Sequence, residues 1–267
     1  MPLAVCATPI GNLEDVTLRV LRELAEADFV LCEDTRHTRK LLERHGVRAQ
    51  LVSYHEHNEA ARTAEVLPKL EAGARVSLTS DAGLPAISDP GARLVAAAVE
   101  AGVPVTVLPG PSAVETGLVA SGLVGERYLF VGYLPRTETA RAALWSELRD
   151  FAHPVVAFEA PARLPNTLAS LARQQPERPV AVCRELTKRF EEVVRGSAEE
   201  LAARFTEQPK GEITFVIGAA PAATEDDSEA QRAVAELVAA GVGRKQAAEI
   251  VSRLTGVPRN QLYRDSL

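Results

Sequence analysis

Side chains able to bind, orient or exchange protons gather at three short stretches. Glu33-Asp34-Thr35-Arg36-His37, followed by Arg39 and Lys40, sets two carboxylates beside three cations. Glu33 or Asp34 suits a substrate group, and Arg36, Arg39 and Lys40 suit phosphates. The same run also reads as an ordinary helix start, with Asp34 or Thr35 as cap and acids at the positive end of the dipole. His55-Glu56-His57 invites a metal, but three polar residues after a strand more often form a solvated turn, so His55 is kept as a substrate-side candidate. Arg184, Glu185 and Lys188 read either as an ion-paired hairpin or as a substrate clamp.

These side chains need a frame. From Leu3 to Ser121, β-rich runs (Leu3–Thr8, Asp28–Cys32, Gln50–Tyr54, Arg75–Thr79, Val103–Leu108) alternate with helical patterns (Val16–Ala25, Thr35–His45, Glu59–Ala72, Pro90–Ala101, Ser112–Ser121). Such alternation implies crossovers and a mostly parallel sheet. Asp89-Pro90-Gly91 reads as a helix start with Asp89 as N-cap and Pro90 in the first turn. From Tyr128 the pattern mixes crossovers with antiparallel pairing. Strands are expected at Tyr128–Leu134, Pro154–Phe158, Val180–Arg184, Arg189–Val194 and Ile213–Ile217, with helices at Leu144–Phe151, Ala162–Gln174 and Ala198–Phe205. Ala219–Ser228 is a linker by composition. The expected divisions are an N-terminal α/β domain over 1–123, a second α/β domain over 124–220 and a small helical domain over 229–267.

Ligands of parallel sheets bind outside the carboxyl ends of the strands. The loops there are Thr8–Leu13, Ser80–Gly91 and Pro109–Ala113, all rich in Gly, Pro and small residues that let a ligand approach the main chain. Asp81 can accept hydrogen bonds from a sugar or amine, and Ser112 and Ala113 lie at a helix N-terminus suited to a carboxylate or phosphate. No loop matches G-x-G-x-x-G or the P-loop, so a dinucleotide or ATP site is not supported. Each loop alone is explained as well by turn chemistry.

Composition narrows the class. The 267 residues are 46% hydrophobic and 25% charged, which fits a globular chain rather than a disordered one. The net charge of −6 argues against a general coat of positive charge for nucleic acid. Cys6, Cys32 and Cys183 sit in separate apolar runs and read as buried free thiols in a reducing compartment. No zinc spacing, signal peptide or membrane-length apolar run is seen, so a cytoplasmic protein without metal or membrane is expected.

Read together, the segments TPIGNLEDVTLR, CEDTRHT, SDAGLPAISDPG, LPGPSA, FVGYLPR, FEAPAR, CRELTK and KGE resemble, in this order, the bacterial small-subunit ribosomal RNA methyltransferase I family. These are 16S rRNA cytidine 2′-O-methyltransferases of the tetrapyrrole methylase superfamily. The resemblance spans essentially the whole chain. It implies two α/β domains of the tetrapyrrole methylase type with S-adenosylmethionine in the cleft between them. The implied cofactor contacts are Pro9, Ile10, Asp81, Gly83, Leu84, Ser112 and Ala113, with Glu159, Ala160, Pro161 and Gly211 from the second domain. Glu33, Asp34 and Lys188 are the implied catalytic group: the carboxylates as candidate bases, Lys188 to stabilise a developing oxyanion. Arg36, His37, Arg39, Lys40, His55, Arg136 and Arg184 are the candidate substrate contacts. The implied partners are 16S rRNA in the small ribosomal subunit and a second copy of the chain as homodimer.

Aromatic residues, the usual platforms for exposed bases, are few. Tyr54, Tyr128, Tyr133 and Trp145 are candidates, read mostly as core or cleft wall. Glu229–Ala240, Lys245–Leu254 and Pro258–Arg264 read as helices, the last two forming a helix-turn-helix packed through Ala248, Val251, Leu254 and Leu262, with Arg244, Lys245, Arg253, Arg259 and Arg264 around them. Two other readings follow: a ligand-sensing nucleic-acid-binding regulator, and a superfamily methyltransferase acting on a tetrapyrrole or a protein.

Overall fold

The structure, a computed structural model, describes residues 2–220 and 225–265. Two five-stranded sheets share one compact unit that runs to Ala219. The first contains β1 (Leu3–Cys6), β2 (Phe29–Cys32), β3 (Leu51–Ser53), β4 (Val76–Thr79) and β5 (Val105–Leu108), all parallel, in the order β3-β2-β4-β1-β5. Helices α1 (Leu18–Glu26), α2 (Thr35–Arg44), α3 (Glu59–Glu71) and α4 (Ala92–Glu100) cover it. Alternation along each strand divides the apolar side chains between two faces. Leu3, Val5 and Leu78 pack with Val66, Leu70 and Leu94, while Ala4, Cys6 and Val30 pack with Val20, Leu24 and Leu41. The chain leaves β1 towards β2 but leaves β4 towards β5 on the opposite side. That reversal opens a crevice at the carboxyl ends of β1 and β4.

The second sheet contains β6 (Leu129–Tyr133), β7 (Val155–Glu159), β8 (Pro179–Arg184), β9 (Glu192–Ser197) and β10 (Ile213–Ile217), in the order β6-β7-β10-β8-β9. β6 and β7 are parallel, and the other pairs are antiparallel. One face packs on α6 (Glu138–Glu147), α7 (Leu164–Gln174) and α8 (Ala198–Arg204) through Trp145, Leu168, Leu171 and Leu201. The other face takes α5 (Ala113–Ser121), the helix that follows the first sheet's last strand. Val114 and Leu118 of α5 meet Val156, Ala181, Cys183 and Val216. By chain position α5 continues the first sheet; by packing it belongs to the second.

Several expected boundaries move, each for a local reason. The expected helix over 144–151 is instead α6, which starts at the polar stretch because Thr137 Oγ1 accepts from the Ala140 N–H at 3.3 Å. It stops before Arg149 and Phe151, whose carbonyls accept from the buried Arg178 guanidinium, which also donates to Gly218 O at 2.8 Å. The expected strand 189–194 is displaced to β9 because residues 185–191 form a closed turn: the Lys188 N–H donates to Glu185 O and the Glu191 N–H to Lys188 O. The expected Asp89 cap is replaced by Gly91, whose φ of +136° and lack of Cβ let the chain pass Leu78. The acidic end of the expected linker is the start of a helix, and residues 221–224 lie outside the described residues.

The second compact unit contains α9 (Glu225–Ala239), α10 (Arg244–Thr255) and α11 (Arg259–Asp265). Ala230, Val234, Ala248, Val251, Val257 and Leu262 form its core. Leu254, expected in that core, is 80% exposed, and Val257 is buried instead. α10 runs one residue past the expected end, to Thr255, and Gly256 closes it in the left-handed conformation. No helix among the described residues is long and apolar enough to cross a membrane.

The three free cysteines are buried, and burial pushes the thiols up, Cys6 to about 12 and Cys183 to about 11. A thiol reagent at pH 8 is therefore expected to titrate almost none in the native protein and three in guanidinium; fast reaction of a native thiol would contradict the packing. A Cβ on Gly117 of α5 would stand 2.5 Å from Thr214 Cγ2 and 3.0 Å from Thr214 Cβ. Alanine normally favours a helix over glycine by about 1 kcal/mol, but this overlap is with a buried strand side chain. Gly117→Ala is expected to destabilise by about 1–3 kcal/mol in urea titration; a stabilised variant would show that α5 can shift freely.

Candidate active site

The carboxyl ends of the strands and the α5–second sheet contact enclose a cavity of about 520 Å³, within the range of small-molecule sites. From the first sheet it is lined by Ile10, Glu33, Ala82–Leu84, Asp81, Ile87–Asp89 and the Ser112–Val114 start of α5. From the second sheet come Tyr133, Phe158–Pro161, Cys183, Leu186 and Gly211–Thr214. The loops are tied together by main-chain bonds. The Thr8 N–H donates to Gly83 O at 2.8 Å, and the Gly83 N–H donates back to Thr8 O at 3.0 Å. Gly11 approaches the 185–188 loop so closely that a Cβ would stand 2.5 Å from Lys188 Cγ. The Asn12 N–H donates to Thr187 Oγ1 at 2.9 Å. Among the described residues, every non-glycine with positive φ lies in two loops at this cavity: Ala86 and Ser88, Glu185 and Thr187. Backbone held in such sparsely populated regions is characteristic of sites fixed by their surroundings.

The charge of the wall is one-sided. Five carboxylates line it, and no Lys, Arg or His does. Two are neutralised from behind. Glu159 is fully buried against Arg163 Nη2 at 2.5 Å, and its oxygens also accept from Thr167 Oγ1 and the Ala160 N–H. Glu212 pairs with Lys188 Nζ at 2.7 Å. The other three stand together. Asp81 accepts from the Asp34 N–H at 3.0 Å and contacts His37 Nδ1 at 3.2 Å. Burial raises the Glu33 carboxyl, and Asp81 adds to the rise. Burial pushes Asp89 to about 6, with Glu33 and Asp81 adding repulsion. A ligand group placed here must be cationic or rich in donors.

The other candidate residues are distributed around this wall. Pro9 is buried just before Ile10. Asp34 caps α2 and holds Arg36 in a two-oxygen pair, which keeps its carboxyl well below the usual range. That pairing suits it to support rather than to proton transfer. Arg36, His37, Arg39 and Lys40 are exposed on α2 beside the cavity, and Arg136 is exposed after β6. Arg184 forms the hairpin pair, with Nη2 2.7 Å from Glu192 Oε2. Lys188 holds Glu185 at 3.0 Å and Glu212 at 2.7 Å, so despite burial its pKa is raised and it stays a cation. His55 is not part of the cavity lining; its Nδ1 is buried without a hydrogen-bond partner. Among the described residues no three His, Cys, Asp or Glu side chains are grouped to hold a metal. Sequence reasoning missed Asp89, because a Ser-Asp-Pro-Gly run is also the standard wording of a helix start.

The first 202 residues and the last helices each match a family model: "Tetrapyrrole (Corrin/Porphyrin) Methylases" over residues 2–202, and "RsmI C-terminal HTH domain" over residues 224–265. Solved structures share the fold of the larger unit. A cobalt precorrin-4 methyltransferase is 18% identical with a TM-score of 0.58, covering 81% of this chain and 94% of its own. Uroporphyrin-III C-methyl transferase from Thermus thermophilus, complexed with S-adenyl homocysteine, is 21% identical with a TM-score of 0.57, covering 81% and 96%. The chain belongs to the tetrapyrrole methylases. Within them it belongs with the proteins named ribosomal RNA small subunit methyltransferase I: that of Mycobacterium tuberculosis is 47% identical over 98% of this chain and 93% of its own, and that of Micromonospora olivasterospora 44% over 98% and 85%.

The Asp89 environment predicts a pH-dependent stability. Its folded pKa of about 6 lies above the ordinary 3.8, so the cost of ionising it is absent below about pH 4 and fully present above about pH 6. Asp89→Asn is expected to be more stable than the parent at pH 7.5 by about 1 kcal/mol, after allowance for solvent screening of this partly exposed group. The difference should shrink as the pH falls to 4. An equal difference at both pH values in paired urea titrations would refute it.

Proposed function

We propose that this chain is an S-adenosylmethionine-dependent methyltransferase that methylates the ribose 2′-oxygen of a cytidine in 16S rRNA of the small ribosomal subunit, working in the cytoplasm as a homodimer. Membership of the methyltransferase I family over nearly the full length supports the substrate class. The observation that carries the cofactor is the cavity wall, with five carboxylates and no basic side chain. Such a wall disfavours the phosphates of a nucleotide cofactor and suits a ligand bearing a sulfonium and an amine. The bound cofactor supplies a methyl group on a cationic sulfur.

The protein's share is placement and proton handling. Gly83, Ala113 and Ala160 offer main chain with little side-chain bulk, and Ile10, Leu84 and Pro161 offer apolar walls that exclude water. Asp81, held by Asp34 and His37, is a fixed acceptor for a ribose or amine. As the new C–O bond forms, the acceptor hydroxyl must give up its proton. Glu33 and Asp89 line the cavity and bind protons more tightly than ordinary carboxyls, which suits that task near neutral pH. Lys188 keeps its charge and anchors the loop behind Leu186 and Glu212. Arg36, Arg39, Lys40 and Arg136, outside the cavity, are placed to meet RNA phosphates.

Unmethylated small subunits incubated with methyl-labelled S-adenosylmethionine and the purified protein should yield labelled 2′-O-methylcytidine after digestion. Label in another nucleoside would move the acceptor. Absence of label with cofactor bound, as seen by calorimetry, would point to a tetrapyrrole or protein acceptor. Absence of both would overturn the methyltransferase reading.

A further inference from the structure

The cavity mouth carries an exposed ring that neither the core nor the carboxylate wall accounts for. β6 and β7 run in register at Leu129↔Val155 and Phe130↔Val156, but the next pair is Tyr133↔Phe158. β6 therefore holds one residue more than β7 over this stretch, and Gly132, with φ +68°, absorbs it. In an unbroken strand residues 130, 132 and 134 would share a face. The bulge changes that: Leu134 is buried in the core under α6 and α7, while Tyr133 joins Phe130 on the opposite face. Phe130 and Tyr133 both meet Phe158 edge-to-face, with ring centroids 5.1 Å and 5.6 Å away. Phe130 and Phe158 are half-buried, Phe158 in the cavity wall, whereas Tyr133 is 63% exposed and lines the cavity. Bulges that re-aim a side chain in this way are over-represented beside active sites.

The surroundings restrict what this ring can meet. Ile87, on the facing loop, also lines the cavity and is 51% exposed. That loop is close, since Ser88 Oγ stands 3.8 Å from the Cβ position of Gly132. Glu212, Asp89 and Glu159 share the cavity wall with the ring and repel a phosphate, and Arg163, which lies outside the lining, is taken up by Glu159. A planar, uncharged, partly apolar group satisfies all three. On the reading of the chain as an RNA 2′-O-methyltransferase, we infer that Tyr133 stacks on the base of the nucleotide whose ribose is methylated. A ribose inside a folded RNA reaches a recessed cavity when its nucleotide leaves the stack, and an aromatic platform replaces the stacking it gives up. Tyr133 is thus a positioning residue for the acceptor.

The test compares Tyr133→Ala and Tyr133→Phe with the parent, using unmethylated small ribosomal subunits and labelled S-adenosylmethionine. S-adenosylhomocysteine affinity is measured separately by calorimetry without RNA. Tyr133→Ala is expected to lower kcat/KM for the subunits by about 5- to 100-fold, a stacking contribution of ordinary size. Its S-adenosylhomocysteine Kd should stay within about 2-fold, which also reports an intact fold. Tyr133→Phe should restore kcat/KM to within about 3-fold. A Kd that moves as far as kcat/KM would assign the ring to the cofactor and overturn the inference. So would a Phe variant as impaired as Ala, or an Ala variant as active as the parent. If the parent itself leaves no label in RNA, the proposed function fails and the inference falls with it.

Discussion

The close approach of Gly117 to Thr214 fixes how the two sheets meet. α5 leaves the all-parallel first sheet and lies against β10 of the second, so close at position 117 that a side chain there has no room. The apolar contacts of Val114 and Leu118 with Val156, Ala181 and Val216 then hold the helix there. Because α5 begins at Ser112 and Ala113, this contact also brings the start of the helix over the ends of β7, β8 and β10. The cavity is the space left at that junction, and Thr214 itself belongs to its wall.

The second constraint is electrostatic. The protein surrounds Glu159 and Glu212 with cations placed outside the cavity and leaves Glu33, Asp81 and Asp89 facing inwards without a comparable counter-charge. Like charges gathered in a partly desolvated site raise proton affinity and attract cations. On the proposed function, the arrangement separates two tasks that RNA chemistry sets against each other. On that function a polyanionic substrate needs basic contacts, and exposed cations stand on α2 (Arg36, Arg39, Lys40) and after β6 (Arg136). The reacting groups need an anionic interior, and the absence of Lys and Arg from the lining keeps phosphates out of it.

Much of this was legible in the sequence. Nine of the ten strands and their alternation with helices follow from short β-rich apolar runs, the strand expected over 189–194 lying instead at Glu192–Ser197, and the loops at the carboxyl ends follow from their glycines and prolines. Ile10, Asp81, Gly83, Leu84, Ser112, Ala113, Glu159, Ala160, Pro161, Gly211 and Glu33 meet in one cavity. What was not legible depends on contacts distant in sequence. Asp89 looks like a helix cap until Gly91 takes that position. The end of α6 is set by Arg178, nearly thirty residues further on. Leu254 fits the apolar period of its helix, but the Gly256 turn buries Val257 in its place. Tyr133 looks like one more core residue of a strand because a one-residue bulge leaves no trace in hydrophobic periodicity beyond a single glycine.

The topology of the second sheet also sets an order of events at synthesis. β10 is the last strand of the sheet in sequence and lies at its centre, between β7 and β8. Until Ile213–Ile217 has emerged, β7 and β8 each present an unpaired, largely apolar edge, and the cavity lacks Thr214 and its neighbours. A nascent chain shorter than this can fold its first sheet, whose five strands are complete by Leu108, but holds an open slot in the second. Closure of that slot waits on one buried strand, so a chain that ends before Ile213 carries an open strand edge in place of a finished cavity wall.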